Sequence, residues 1–258
     1  MKNLRTITTA LTILFFAVSC KKQSANPTPT PVAASKKLQT MIWAPGYSPT
    51  QNFTYDAQGR LTQEDDQYET ETYVYTGNTV HITDYSKTSA RIVEDINATT
   101  DNAGRMTSYT GNISYNINLP YTEQGAFTYD ANGYLTQVKL TQNNTVLTYD
   151  YTITNGDYTQ VIYQQNGAGG YTQTNDYFTD KNNLSGVGLY EVPKNFSYNV
   201  GLFGKNSAHL LKHNSLLQKG ALVPSWTRDF TYVIDSEGYP QSLNLTGTWT
   251  SSATYSFQ

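Results

Sequence analysis

Two short acidic runs, Glu64-Asp65-Asp66 and Glu94-Asp95, hold the carboxylates that could act as a general acid and base. Hydrolysis of a glycosidic bond needs two such groups about 5 to 10 Å apart across a cleft. Neighbouring residues of a strand point to opposite faces, so neither run makes a pair by itself. Both runs fall near expected strand ends, where solvated charge is ordinary. His209 and His213 are the other candidates. Ser207 as an N-cap and Gly220 as a stop would put them one turn apart on a short helix. Zinc at such a pair also needs a third ligand and the glutamate of an H-E-x-x-H helix, but position 210 is leucine. Packing of Leu210, Leu211, Leu216 and Leu217 is the expected role of this segment. There is no G-x-S-x-G motif and no phosphate-cradling glycine loop. No catalytic residue, metal ligand or cofactor is therefore assigned. Trp43, Trp226 and Trp249 could stack on sugar rings, although rings are placed by folding more often than by ligands.

The elements that would carry these groups are written in a phrase used four times. Phe53-Thr54-Tyr55-Asp56-Ala57-Gln58-Gly59-Arg60-Leu61-Thr62 is the fullest copy, and Phe127 to Thr136 nearly repeats it. Looser copies keep Asp101, Gly104, Arg105, Met106 and Thr107, then Phe230, Tyr232, Asp235, Gly238 and Tyr239. Each fits a β-hairpin with a type I turn closed by a residue of positive φ, which explains the turn glycines Gly59, Gly104, Gly133 and Gly238. The aspartate at the start of each turn is placed to accept bonds from the amides that follow. The expected ladder pairs Tyr55 with Leu61, Thr54 with Thr62, Thr100 with Met106, Tyr129 with Leu135 and Thr128 with Thr136. Gly77-Asn78 and Asn155-Gly156 read as two-residue hairpin loops. From about residue 50 to 180 no stretch combines helical periodicity with good helix formers.

The N-terminus sets the location. Lys2 and Arg5 precede the apolar run Leu11 to Val18, then Ser19 and Cys20. A positive start, a short apolar core and a small residue make an export signal too short to stay as a membrane span. Cys20 is the chain's only cysteine, and Ala17-Val18-Ser19-Cys20 resembles the lipobox of bacterial lipoproteins, where the cysteine is acylated. Several acyl chains at about 0.8 kcal/mol per buried methylene would hold the protein on a membrane. The Pro-Thr alternation from Pro27 to Pro31 reads as an extended spacer. The expected organisation is a signal peptide over 1–19, a lipid-anchored spacer over 20–38 and one β domain over 39–258.

Composition narrows the partners. Charged residues are 14% and the formal net charge is −3, which gives no field to attract nucleic acid. The 22 tyrosines suit sheets with a face near water. Hairpin phrasing stops between about 183 and 226, where a small irregular or helical cap is expected.

The Tyr55 to Thr62 phrase resembles the YD repeats of rearrangement-hotspot and teneurin-like shells. Together with the lipobox, the Pro-Thr spacer and the Phe203 to Leu211 segment, the chain resembles a family of bacterial cell-envelope lipoproteins of unknown function with a porin-like β fold. That resemblance implies a long curved antiparallel sheet or partly closed barrel, and no enzymatic residues come with it. Four phrases are too few for a toxin-enclosing shell. Thr, Asn and Gln on one strand parity and Tyr on much of the other disfavour a lipid-facing wall.

The function expected is a non-enzymatic, lipid-anchored envelope protein. Its partners would be the membrane, through the N-terminal lipid, and a polysaccharide or an envelope protein. A periplasmic glycan-processing enzyme and an outer-membrane pore are the alternatives. The lysine pair after Cys20 lacks acidic neighbours, so a periplasm-facing position on the outer membrane is expected.

Overall fold

The computed structural model describes residues 36–44, 50–116, 119–186 and 201–258. The signal peptide, Cys20, most of the spacer and residues 187–200 of the expected cap lie outside the described residues. The described residues belong to one compact unit.

Among the described residues, sixteen strands from β1 (Leu38–Ala44) to β16 (Ser251–Phe257) form a closed antiparallel barrel in sequence order. The sheet closes where β16 pairs with β1, matching Trp43 with Ala253 and Met41 with Tyr255. Backbone bonds between Lys37 and Gln258 seal that seam. With an even strand number β1 begins and β16 finishes at the same end of the barrel, which is termed the near end. The four phrase turns lie there too. The far end carries the loops at 66–68, 87–90, 219–225 and 248–250.

The phrase builds its hairpin by one plan. Between β2 (Gln51–Tyr55) and β3 (Leu61–Asp65), Gly59 donates its N–H to the Asp56 carbonyl at 2.9 Å. Asp56 Oδ1 accepts from the amides of Gln58 and Arg60 at 3.0 and 2.9 Å. Asp101, Asp130 and Asp235 repeat both bonds. The turn glycines 59, 104, 133 and 238 have φ of +76°, +80°, +91° and +94°.

Tyr55–Leu61, Thr100–Met106 and Tyr129–Leu135 pair as expected. The next pairs differ: Thr54 faces Gln63 rather than Thr62, and Thr128 faces Gln137 rather than Thr136. An extra residue bulges in each second strand. The hydroxyls of Thr62, Thr107 and Thr136 donate back to the carbonyls of Thr54, Thr99 and Thr128, which explains the final threonine of the phrase.

Tyrosines cap the same corners. The Tyr75 hydroxyl donates to the Leu61 carbonyl at 2.9 Å, and Tyr129 to that of Met106 at 2.7 Å. The guanidinium of Arg60 lies 4.1 Å from the Tyr75 ring centre and that of Arg105 lies 4.6 Å from Tyr129. Both arginines also bind their turn aspartates. In the third copy Tyr134 takes the arginine's place and meets Tyr158 edge-on at 5.9 Å.

Inward positions form one apolar cluster, with Met41, Ile82, Ile96, Met106, Ile113 and Val138 fully buried. These side chains belong to a single packed cluster. The outward parity is mostly polar, with Ile42, Val74, Ile92 and Val233 exposed among the polar residues, and it is cross-linked by side chains. Thr72 bonds Thr83 at 2.6 Å, Thr174 bonds Ser215 at 2.8 Å, and His81 bonds Asp95 at 2.7 Å.

The helical part of the expected cap is corrected. His209–Gln218 is strand β13, paired with β12 (Ala168–Asn182) on one side and β14 (Trp226–Ile234) on the other. The two neighbouring strands each need a partner there for the barrel to close, and ladder bonds on both sides outweigh the weak helical preference of Ser-Ala-His-Leu-Leu-Lys-His.

Candidate functional site

Two constructions at the far end stand out. The first is an aromatic corner. Trp226 opens β14, and Trp249 sits between β15 (Pro240–Gly247) and β16. Thr248 donates its N–H to the Thr227 carbonyl at 3.0 Å, and Thr227 returns a bond to the Thr248 hydroxyl at 3.1 Å. This clamp brings the indole centres to 6.2 Å at 52°. The Arg228 guanidinium lies 4.4 Å from one ring centre and 4.7 Å from the other. Trp249 remains 52% exposed, and Leu222 and Val223 stand out from the adjoining far-end loop at 98% and 71%. Trp43, by contrast, packs against the barrel core.

The second is a row of carboxylates inside the barrel. In register, Glu64 of β3 faces Glu71 of β4 (Glu69–Thr76), Glu71 faces Asp84 of β5 (Thr79–Ser86), and Asp84 faces Glu94 of β6 (Arg91–Thr100). Opposed residues of an antiparallel pair have Cβ atoms roughly 5 Å apart, and like charges so placed repel. Glu71, Asp84 and Glu94 are nevertheless buried, at 8%, 4% and 3% exposure. Gln51 donates to Glu64 Oε1 at 2.9 Å, Tyr73 to Glu71 Oε2 at 2.5 Å, and Tyr115 to Asp84 Oδ2 at 3.3 Å. Glu64 Oε2 and Asp84 Oδ1 are buried without a hydrogen-bond partner.

Burial, followed by the nearby Asp66, Asp84 and Glu69, pushes the Glu64 carboxyl up to about 8. Asp84 is raised to about 7, first by burial and then by Glu69 and Glu94. Glu71 is driven well above its ordinary value by burial and by Glu64, against the pull of the Tyr73 hydroxyl. Farther round the wall, fully buried Glu123 accepts from Tyr109 and Gln142.

The two acidic runs thus contribute one inward residue each, Glu64 and Glu94, which corrects the expectation of ordinary solvated charge at both. Their neighbours face out, Asp65 paired with Lys87 at 2.8 Å and Asp95 with His81. Glu71 and Asp84, which complete the row, carry no motif. Their signal is parity alone: Glu71 shares a face with Tyr73 and Tyr75, and Asp84 with Val80 and Ile82.

The two histidines are separated in role. His209 binds the Asp157 carboxylate through Nδ1 at 2.8 Å, and His213 binds Asp229 at 2.8 Å on the outer face. Of the leucines expected to pack inward, Leu210 and Leu211 are buried, whereas Leu217 is 38% exposed. Among the described residues, no group of three or more His, Cys, Asp and Glu side chains is arranged to hold a metal ion.

No family model and no curated protein matches the sequence. Solved structures do. A porin-like protein from Bacteroides uniformis is 17% identical with a TM-score of 0.63, over 87% of this chain and 97% of that one. A second, from Bacteroides vulgatus, is 12% identical with a TM-score of 0.64, over 86% of this chain and 99% of that one. At these identities the likeness concerns the fold: this chain has a porin-like all-β barrel.

Proposed function

We propose that this protein is a lipid-anchored component of the bacterial cell envelope, held through Cys20 on the periplasmic side of the outer membrane. Its barrel acts as a non-enzymatic binding module for a polysaccharide or an envelope protein. The observation that carries this reading is the corner formed by Trp226 and half-exposed Trp249, away from the end where β1 begins. An indole with an open face gains from stacking on the apolar face of a sugar ring or on an apolar protein side chain.

The polar outer wall supports an anchored barrel over a pore. A lipid-facing surface should be continuously apolar, and each charge at the bilayer midplane costs about 2 to 4 kcal/mol. Here the corresponding parity carries Thr70, Thr72, Thr83, Asp95, Asn97 and Asn112 on successive strands. Asp65 and Glu94, one from each acidic run, occupy opposite faces of the wall, which disfavours the glycan-processing reading.

Affinity electrophoresis of the protein through gels containing envelope or dietary polysaccharides tests the binding reading. Retardation by at least one polymer, lost in Trp249→Ala and kept in Trp43→Phe, is the expected result. Equal mobility of wild type and Trp249→Ala in every gel, together with no envelope protein cross-linked at position 249, would refute it.

A further inference from the structure

We propose that the interior row Glu64, Glu71, Asp84 and Glu94 is a proton-binding site that fastens β3 to β6 at the far end and releases them as its protons leave. The inference is independent of the aromatic corner.

The geometry leaves few other ways for the row to exist. Four carboxyl groups stand opposite one another on consecutive strands, at the strand pitch of about 4.8 Å. Two of their oxygens, on Glu64 and Asp84, are buried and accept from nothing. A deprotonated carboxylate can only accept, so neighbouring charged groups would offer each other no donor. A protonated carboxyl supplies one O–H, and that donor can reach an acceptor oxygen on the next strand.

The groups that face the row do not supply the missing positive charge. Gln51 comes from β2, Asp66 from the loop after β3, Glu69 and Tyr73 from β4 itself, and Tyr115 from beyond β7 (Met106–Ile113). The cations of this end are engaged on the rim. Lys87 binds Asp65 and the Asp66 carbonyl, and Arg91 binds Ser114 and the Tyr115 carbonyl. Burial therefore favours the uncharged row, in keeping with the raised values of Glu64, Glu71 and Asp84.

β3 is the least secured strand of the row, meeting β4 through three register pairs, whereas β4 with β5 and β5 with β6 share longer ladders. β2 and β3 are five residues each, and β1 pairs with β2 through Thr40–Asn52 and Met41–Gln51. Charging the row sets repulsion against a short ladder. The expected result is local opening of β3 to β6 while the tyrosine-packed wall of β9 (Leu135–Gln142) to β11 (Asp157–Gln165) stays closed.

Amide hydrogen exchange of the full chain in mild detergent, read by peptide mass spectrometry at about pH 6 and about pH 9 and corrected for intrinsic rates, tests this. Protection in β4 and β5 should fall more than about ten-fold relative to β9 to β11. Glu71→Gln and Asp84→Asn should each reduce that fall. Equal loss across all strands, or none, in wild type overturns the proposal even if neither variant folds. It is likewise overturned if calcium restores protection at the higher pH in wild type and not in Asp84→Asn, because the row would then be a metal site.

Discussion

Glu71 and Asp84 stand directly opposite each other on β4 and β5, both turned into the barrel and both buried. Burial and the neighbouring carboxylates raise both carboxyls above their ordinary values, which favours their uncharged forms in this placement. The folded-state values lie above the unfolded ones, so this stability is fully present below the ordinary carboxylate range and is lost as pH rises through about 7 to 8. Asp84→Asn should unfold at higher denaturant than wild type near pH 8, by on the order of 1 to 2 kcal/mol, and that gain should vanish near pH 3, below the ordinary carboxylate range. Urea titrations at the two pH values check both signs.

The turn aspartates give the opposite dependence. Bonds from Arg105 and from the amides of Arg105 and Ala103 hold the Asp101 carboxyl below its usual range, while its slight burial opposes them. Asp130 and Asp235 are lowered by the backbone amides of their own turns. These contributions are present above the unfolded carboxylate value and disappear as pH falls through the folded one. Asp101→Ala should lower the melting temperature at neutral pH and narrow its gap from wild type near pH 3, as thermal scans would register.

Two glycines should respond differently to alanine. Gly104 has φ +80° and open space where a Cβ would stand, so Gly104→Ala isolates backbone strain at about 1 to 2 kcal/mol. A Cβ on Gly125 would lie 2.2 Å from the Tyr109 ring, a buried side chain bound to Glu123. Gly125→Ala should cost at least as much, about 1 to 3 kcal/mol, through overpacking. It should also perturb the near-ultraviolet circular dichroism of the tyrosines, which Gly104→Ala should leave unchanged.

The tyrosine hydroxyls at the bulges are separable from their rings. Tyr75→Phe keeps the surface under Arg60 but leaves the Leu61 carbonyl without its donor. A loss of about 1 kcal/mol in equilibrium unfolding is expected. Tyr163→Phe, in a ring ladder with Tyr149 and Tyr171 at 5.1 and 4.7 Å, should keep its stacking and lose less.

Much of the wall was legible in the sequence because its rules are local. Gly59, Gly133 and their aspartates name their turn by backbone chemistry, and Gly77-Asn78 places glycine first, where φ is +56°. Closure was not legible. The Trp43–Ala253 pairing depends on all intervening strands bending together, and no short segment records that sum. β13 was misread as a helical turn because the need for a partner on each side is tertiary. The Thr54–Gln63 slip hid inside a threonine shared by three of the four copies, whose hydroxyl serves the bulge. The carboxylate row was half visible: Glu64 and Glu94 sit in acidic runs, whereas Glu71 and Asp84 emerge only once three registers are fixed. The Trp226–Trp249 contact likewise joins residues that become neighbours through the far-end loops.

Phase partition in a clouding detergent, combined with alkaline washing of membranes, bears most directly on a barrel that stands in water and is tethered at one cysteine. Wild type should enter the detergent phase and stay with washed membranes, and Cys20→Ala should move to the aqueous phase as folded protein. Retention of Cys20→Ala in washed membranes would contradict it, since the polar wall itself would then be holding the bilayer.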